Sequence, residues 1–185
     1  MRFRFDERKA AQAAAYLLSI HGGRLNYTVL VKLLYLADRT ALLECGQPIT
    51  GDRMVSMPHG TVLSMILDRI NAGGPEPGSP WSEIISPPDG YEISLKNASP
   101  GTDELSRYEL AVLARTNETY GHLSWWALRQ LTHGLPEYRD PQGSSLPIAP
   151  EDILRAEGKS AEEIERITHE AEELWFFSTL EREAS

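Results

Sequence analysis

The chain has 185 residues, 41% hydrophobic and 24% charged, an ordinary globular balance that excludes global disorder and supplies one domain's worth of core. Its net charge of −9 argues against a nonspecific nucleic-acid binder, which needs clustered Lys and Arg for phosphates, and suits a soluble protein with a basic partner. The single cysteine, Cys45, excludes an intramolecular disulfide and fits a reducing compartment.

The opening MRFRFDERKAAQ carries charges of both signs and no long apolar stretch, so it does not read as a secretory signal. No apolar run approaches the roughly 18 residues of a membrane span. The expected location is therefore cytoplasmic, with no membrane partner. A first helix is predicted over 6–21, with Ala10, Ala13, Ala14, Leu17 and Leu18 on one face and Gly22-Gly23 ending it. A second, over 28–44, is apolar almost all the way round, which marks a central helix. Lys32 and Asp38 on it cannot be deeply buried without partners.

Residues 46–52 (GQPITGD) read as loop, and RMVSMPHG as a short extended piece. A helix is predicted over 62–71, stopped by Ala72-Gly73-Gly74, with an exposed, mobile loop over 73–80. WSEII and YEISL around Pro87-Pro88-Asp89-Gly90 predict a hairpin on an Asp-Gly turn. Ser106 and Glu109 have capping-box spacing, with Leu105 and Leu110 as a hydrophobic staple, for a helix reaching Tyr120. Ser124 caps a short helix over 125–133. Pro150 opens another that ends at Gly158, and Ser160 with Glu163 forms a second capping box for a final helix. The fold class is mainly α: a single helical domain with a small antiparallel β-hairpin. Residues 1–158 form the domain proper, and 159–185 a C-terminal helix packed on it or extending from it.

Searches for chemistry return little. The five histidines are scattered, with no HExxH and no CxxC, so no metal site is expected. His133 sits at a helix end, where a cation suits the dipole. Cys45 lies at a helix C-terminus beside Glu44, not in the electropositive setting a reactive thiolate needs. There is no GxSxG, no GxGxxG and no GxxxxGK[ST]. The helices over 107–120 and 125–133 have helix-turn-helix length, but WWALRQLTH offers two tryptophans and little base-reading chemistry. No catalytic residue is assigned. A small hydrolase built on His59, Asp38 and His133, or a DNA-binding regulator, are the rival readings.

What remains is contact chemistry. Met54, Met57, Trp125, Trp126 and Tyr138, with His59, are the expected partner-binding residues, since Trp, Tyr and Met are enriched at interfaces. Adjacent tryptophans on a helix point about 100° apart, so at least one is expected at a rim.

Several segments form an ordered set: KLLYLADR at 32–39, GQPITGD at 46–52, VSMPHGTVLS at 55–64, YGHLS at 120–124, LTH at 131–133 and PEY at 136–138. In this set, whose key positions are Lys32, Tyr35, Asp38, Asp52, His59, Gly60 and His133, the chain resembles the Panacea domain, the SocA-like antitoxin domain also found in phage-associated proteins. It departs from the family's Gly-Pro-Val at Gly60-Thr61-Val62, and from its Pro-Glu-Trp at Pro136-Glu137-Tyr138. The resemblance implies a mainly helical fold with a small β element; with no metal or phosphate motif in the sequence, no cofactor is expected. It implies an antitoxin of a two-gene system that neutralises a cognate toxin protein by direct binding. Neutralisation would occlude the toxin or hold it for a protease, and the latter needs a recognition feature the sequence does not display. The resemblance names neither the toxin nor the oligomeric state.

Overall fold

The computed structural model describes residues 1–71, 76–97 and 101–183, the last three without their side chains. The expected stop at Ala72-Gly73-Gly74 lies outside the described residues, as does the first part of the expected 73–80 loop. Among the described residues the chain is mainly α, with eight helices and two small antiparallel sheets.

Helix α1 (Glu7–Ile20) starts where the Asp6 carboxylate accepts from Lys9 N at 3.0 Å. Its alanines, Ala10, Ala11, Ala13, Ala14 and Ala15, are all fully buried, which brings neighbouring elements close. Strand β1 (Arg24–Asn26) leads into α2 (Tyr27–Cys45), capped by Asn26 and ended by Gly46 in the left-handed region at φ 78°. A side chain at position 46 would also meet Ile167 Cγ2 at 3.0 Å, so glycine serves both the turn and the packing. Helix α2 is the central helix its composition predicts. It touches α1 and, further along the chain, β3 (Gly60–Leu63), α5 (Arg107–Tyr120), α6 (Trp125–His133) and α7 (Pro150–Ala156).

Strand β2 (Met54–Met57) pairs with β3 in a tight hairpin whose two-residue tip is Pro58-His59, with Met57 opposite Gly60. Strand β5 (Leu146–Pro147) adds to the other edge of β2, giving the order β3-β2-β5. The antiparallel hairpin therefore lies at 54–63, and the predicted hairpin over 81–95 is corrected. Pro80–Ile84 is a short helix, α4: the Ser79 hydroxyl accepts from Ser82 N at 3.2 Å and Pro80 takes the first turn. These are helix-start signals that outweigh the β-favouring side chains. Trp81 and Ile84, three residues apart, both turn inward. Of the expected pairing two isolated bridges remain, Ile85↔Leu95 and, at the Asp-Gly turn, Asp89↔Glu92, while β4 (Glu92–Ser94) pairs with β1 instead.

Helix α3 (Ser64–Asn71) begins two residues later than expected, because Val62 and Leu63 belong to β3. Both later capping boxes form, Ser106 with Glu109 at the start of α5 and Ser160 with Glu163 at the start of α8 (Ala161–Glu183). Helix α8 lays Ile164, Ile167 and Ala171 against the body. Further along it leaves Leu174, Phe176, Phe177 and Leu180 between 45% and 60% exposed.

Candidate functional site

Three polar clusters lie around α2, and between them they hold six of the seven motif residues, His59 through its backbone carbonyl alone. In the first, Lys32 is 2% exposed. Its ammonium donates to His59 O at 2.6 Å, Thr132 Oγ1 at 3.2 Å and Thr61 O at 3.4 Å. The three donors of a lysine are thereby matched. All three acceptors are neutral, however, and no salt bridge to Lys32 exists among the described residues. Burial, with Arg129 adding repulsion, pulls its pKa down to about 8. Gly60 makes the approach possible. Its φ is 98°, and a Cβ there would fall 2.1 Å from Thr132 Oγ1 and 2.8 Å from Lys32 Nζ.

In the second cluster, Tyr35 donates its hydroxyl to Glu137 Oε1 at 2.7 Å. Arg39 grips the same carboxylate with two bonds, at 2.7 and 3.1 Å, and also reaches Glu157. Burial alone would raise the Glu137 pKa, but the bonds from Arg39 and Tyr35 hold it below the usual carboxylate range. Burial and the neighbouring Glu137 carboxylate push the Tyr35 phenol well up.

The third cluster joins Asp38 and Asp52 through Thr50. Asp38 is fully buried and accepts from the Thr50 backbone N at 3.1 Å and from its hydroxyl. Thr50 Oγ1 in turn accepts from Asp52 N at 3.2 Å. The Asp52 carboxylate accepts from Met65 N and Ile66 N, both at 2.9 Å, capping α3 from twelve residues upstream of its first residue. Burial raises Asp38 to about 7 and raises Asp52 as well. The buried Lys32 and Asp38 thus have hydrogen-bond partners, but the Lys32 charge has no countercharge among the described residues.

The two histidines of the motif lie near the hairpin tip. His59 is exposed, stands edge-on to Trp125 with ring centroids 5.9 Å apart, and its Nδ1 accepts from Arg129 Nε at 3.4 Å. His133 stacks on Tyr138 at 4.4 Å, and its Nε2 is buried with no partner. Burial, with the positive charges of Arg129 and Lys32, pushes its pKa below the ordinary value, so the expected cation at this helix end is disfavoured. The groups needed for a hydrolase do not converge among the described residues. Asp38 is bonded to Thr50, and its described hydrogen bonds reach neither His59 nor His133. No group of three or more His, Cys, Asp or Glu able to hold a metal exists among the described residues.

The expected partner-binding residues separate. Met54 is 5% exposed and belongs to the core. Met57 and Tyr138 are half-buried. Trp125 is half-buried while Trp126 is 56% exposed, so one tryptophan of the pair stands at the rim. Arg129 lies over the Trp126 ring at 5.1 Å. His59, Trp125, Trp126 and Arg129 therefore form one continuous patch beside the hairpin tip. Glu137, Thr50, Thr132 and Arg129 escaped the sequence reading as functional positions. Glu137 and Thr132 stood inside the quoted PEY and LTH segments, but no local pattern says which side chain of α2 each will meet.

Among the described residues, no helix is long and apolar enough to cross a membrane. A family model described as "Antitoxin SocA-like, Panacea domain" matches residues 30–138, more than half of the chain. No curated protein and no solved structure matches. The matched segment includes the three clusters' residues on α2, the hairpin and α6, and it stops before α8.

Proposed function

Because the chain belongs to the SocA-like antitoxin Panacea domain family, we propose that it is the antitoxin of a toxin–antitoxin pair and neutralises a cognate toxin protein by direct binding. The observation that carries the contact surface is the patch at the hairpin tip. Trp126, more than half exposed and faced by Arg129, stands beside His59 and Trp125 inside the family-matched segment. Trp and Arg are the residues most enriched where binding energy concentrates, and a rigid hairpin–helix support presents them at low entropic cost. The Lys32 cluster holds the tip through the His59 and Thr61 carbonyls.

On this reading the mechanism is occlusion of the toxin's active surface in the cytoplasm. Residues 1–158 are the antitoxin domain, and 159–185 are an appended segment whose helix α8 offers a second apolar surface. The net charge of −9 favours a basic toxin. The test is co-expression with the gene product encoded beside it. That neighbour should arrest growth alone, be harmless with this chain, and co-purify with it. Trp126→Ala should weaken the complex by about tenfold or more, as loss of an interface anchor does. A harmless neighbour, or one that is toxic yet neither bound nor neutralised, removes the reading.

A further inference from the structure

The hairpin tip borders a cavity of about 610 Å³, within the usual range for small-molecule sites. Its walls include Tyr27, Tyr91 and Trp125, and its polar lining includes Asn26, His59 and Lys32. In a chain of net charge −9, no Asp or Glu among the described residues lines it. The undescribed residues 72–75 and 98–100 contain no carboxylate in the sequence either.

Two positive features meet there. The first is the Lys32 ammonium. Its hydrogen bonds are satisfied, but its charge has no countercharge among the described residues, although it is 98% removed from solvent. Burying one uncompensated charge opposes folding, and an incoming carboxylate would supply what the site lacks. The second is the N-terminus of the 19-residue α2, whose Asn26, Tyr27 and Thr28 line the same cavity and whose first turn has no acidic residue. Tyr27 N already donates to Tyr91 O, and Thr28 N to Asn26, so the helix contributes its dipole field and not free donors. A single cation matches one negative charge, and aromatic walls match a flat apolar body.

We propose that this cavity binds a small aromatic carboxylate, with its ring against Tyr27, Tyr91 and Trp125 and its carboxylate toward Lys32 and the start of α2. The site is independent of the antitoxin reading, because it is tested on the purified chain alone. Calorimetric titration of the full chain with 4-hydroxyphenylacetate should show one saturable site, with Trp125 fluorescence changing in step. The uncharged 4-hydroxyphenylacetamide should bind about tenfold more weakly or worse. A short peptide ending in phenylalanine, free against amidated, separates a chain terminus from a free metabolite as the source. Tighter binding of the free-acid peptide than of 4-hydroxyphenylacetate assigns the terminus, and the reverse assigns the metabolite.

Lys32→Met should lower affinity for the acid about tenfold and leave the amide unchanged. Tyr91→Ser, at a ring 69% exposed and therefore dispensable for folding, should weaken both. It keeps the test decisive if Lys32→Met does not fold. Equal binding of acid and amide, no saturation by about 10 mM, or tighter binding of adenosine monophosphate than of the acid would each overturn the proposal.

Discussion

Helices α2 and α8 invert the usual rule about inside and outside. Helix α2 buries a lysine and an aspartate completely, while the last turns of α8 expose two phenylalanines and two leucines. The difference is one of partners. Every buried polar group of α2 named above meets a backbone or side-chain group supplied by another segment: the hairpin, the 46–52 loop, the end of α6 or the loop that follows it. Helix α8 instead has one side already docked through Ile167 and Ala171. At about 100° per residue, Phe176 and Leu180 fall on the side turned away from those two, and Phe177 on the flank. Polar groups enter a core when they are satisfied there, and apolar groups stay out when nothing in the chain reaches them.

Four variants, one of them double, would break or sharpen that contrast, in falling order of effect. Glu137→Ala strips the buried carboxylate that Arg39 and Tyr35 share, and should cost about 3–5 kcal/mol of stability, as removal of one partner of a buried pair does. Urea unfolding measures it, and a loss under about 1 kcal/mol would mean that the cluster is ornamental to the fold. Gly60→Ala forces a Cβ into Thr132 and Lys32 from a left-handed backbone, and should cost about 2–4 kcal/mol by the same measurement.

Asp38 gives a smaller effect that depends on pH. Burial lifts its folded pKa to about 7, above the ordinary aspartate value of 3.8, so between these values the folded protein holds a proton that the unfolded chain has released. Its contribution to stability is complete below that lower value and is lost as pH rises toward 7. Asp38→Asn, which cannot ionise, should therefore flatten the decline of melting temperature between pH 4 and 7 relative to the parent chain. Two parallel melting profiles would disprove the assignment. Last, Phe176→Ser with Phe177→Ser should change stability by no more than about 0.5 kcal/mol each, because both rings already face solvent. A larger loss in thermal melts would show that this face is buried in solution, for instance against a second copy.

The same contrast separates what was legible in the residues from what was not. Helix boundaries set by local chemistry were readable: Gly46 behind α2, the Ser106–Glu109 box before α5 and the Ser160–Glu163 box before α8. Boundaries set at a distance were not. The start of α3 depends on Asp52, and β4 chose β1 over the nearer 81–85 segment, which a serine cap and a proline had turned into helix. The candidate site divides in the same way. The two adjacent tryptophans announced that one must stand at the rim, because their angular separation is a property of any helix. That Trp126 and not Trp125 is the exposed one depends on α6 packing against the hairpin.

By itself the sequence determined the helical class, the central place of α2 and the family, because periodicity, capping and ordered motifs are carried by residues close together in the chain. Only the tertiary structure decided that Lys32 is buried without a countercharge beside an aromatic cavity, and that Met54 is core while His59 is surface. Burial and charge compensation are properties of what folds against a residue. For Lys32 those groups come from positions 59, 61 and 132, which no local pattern connects.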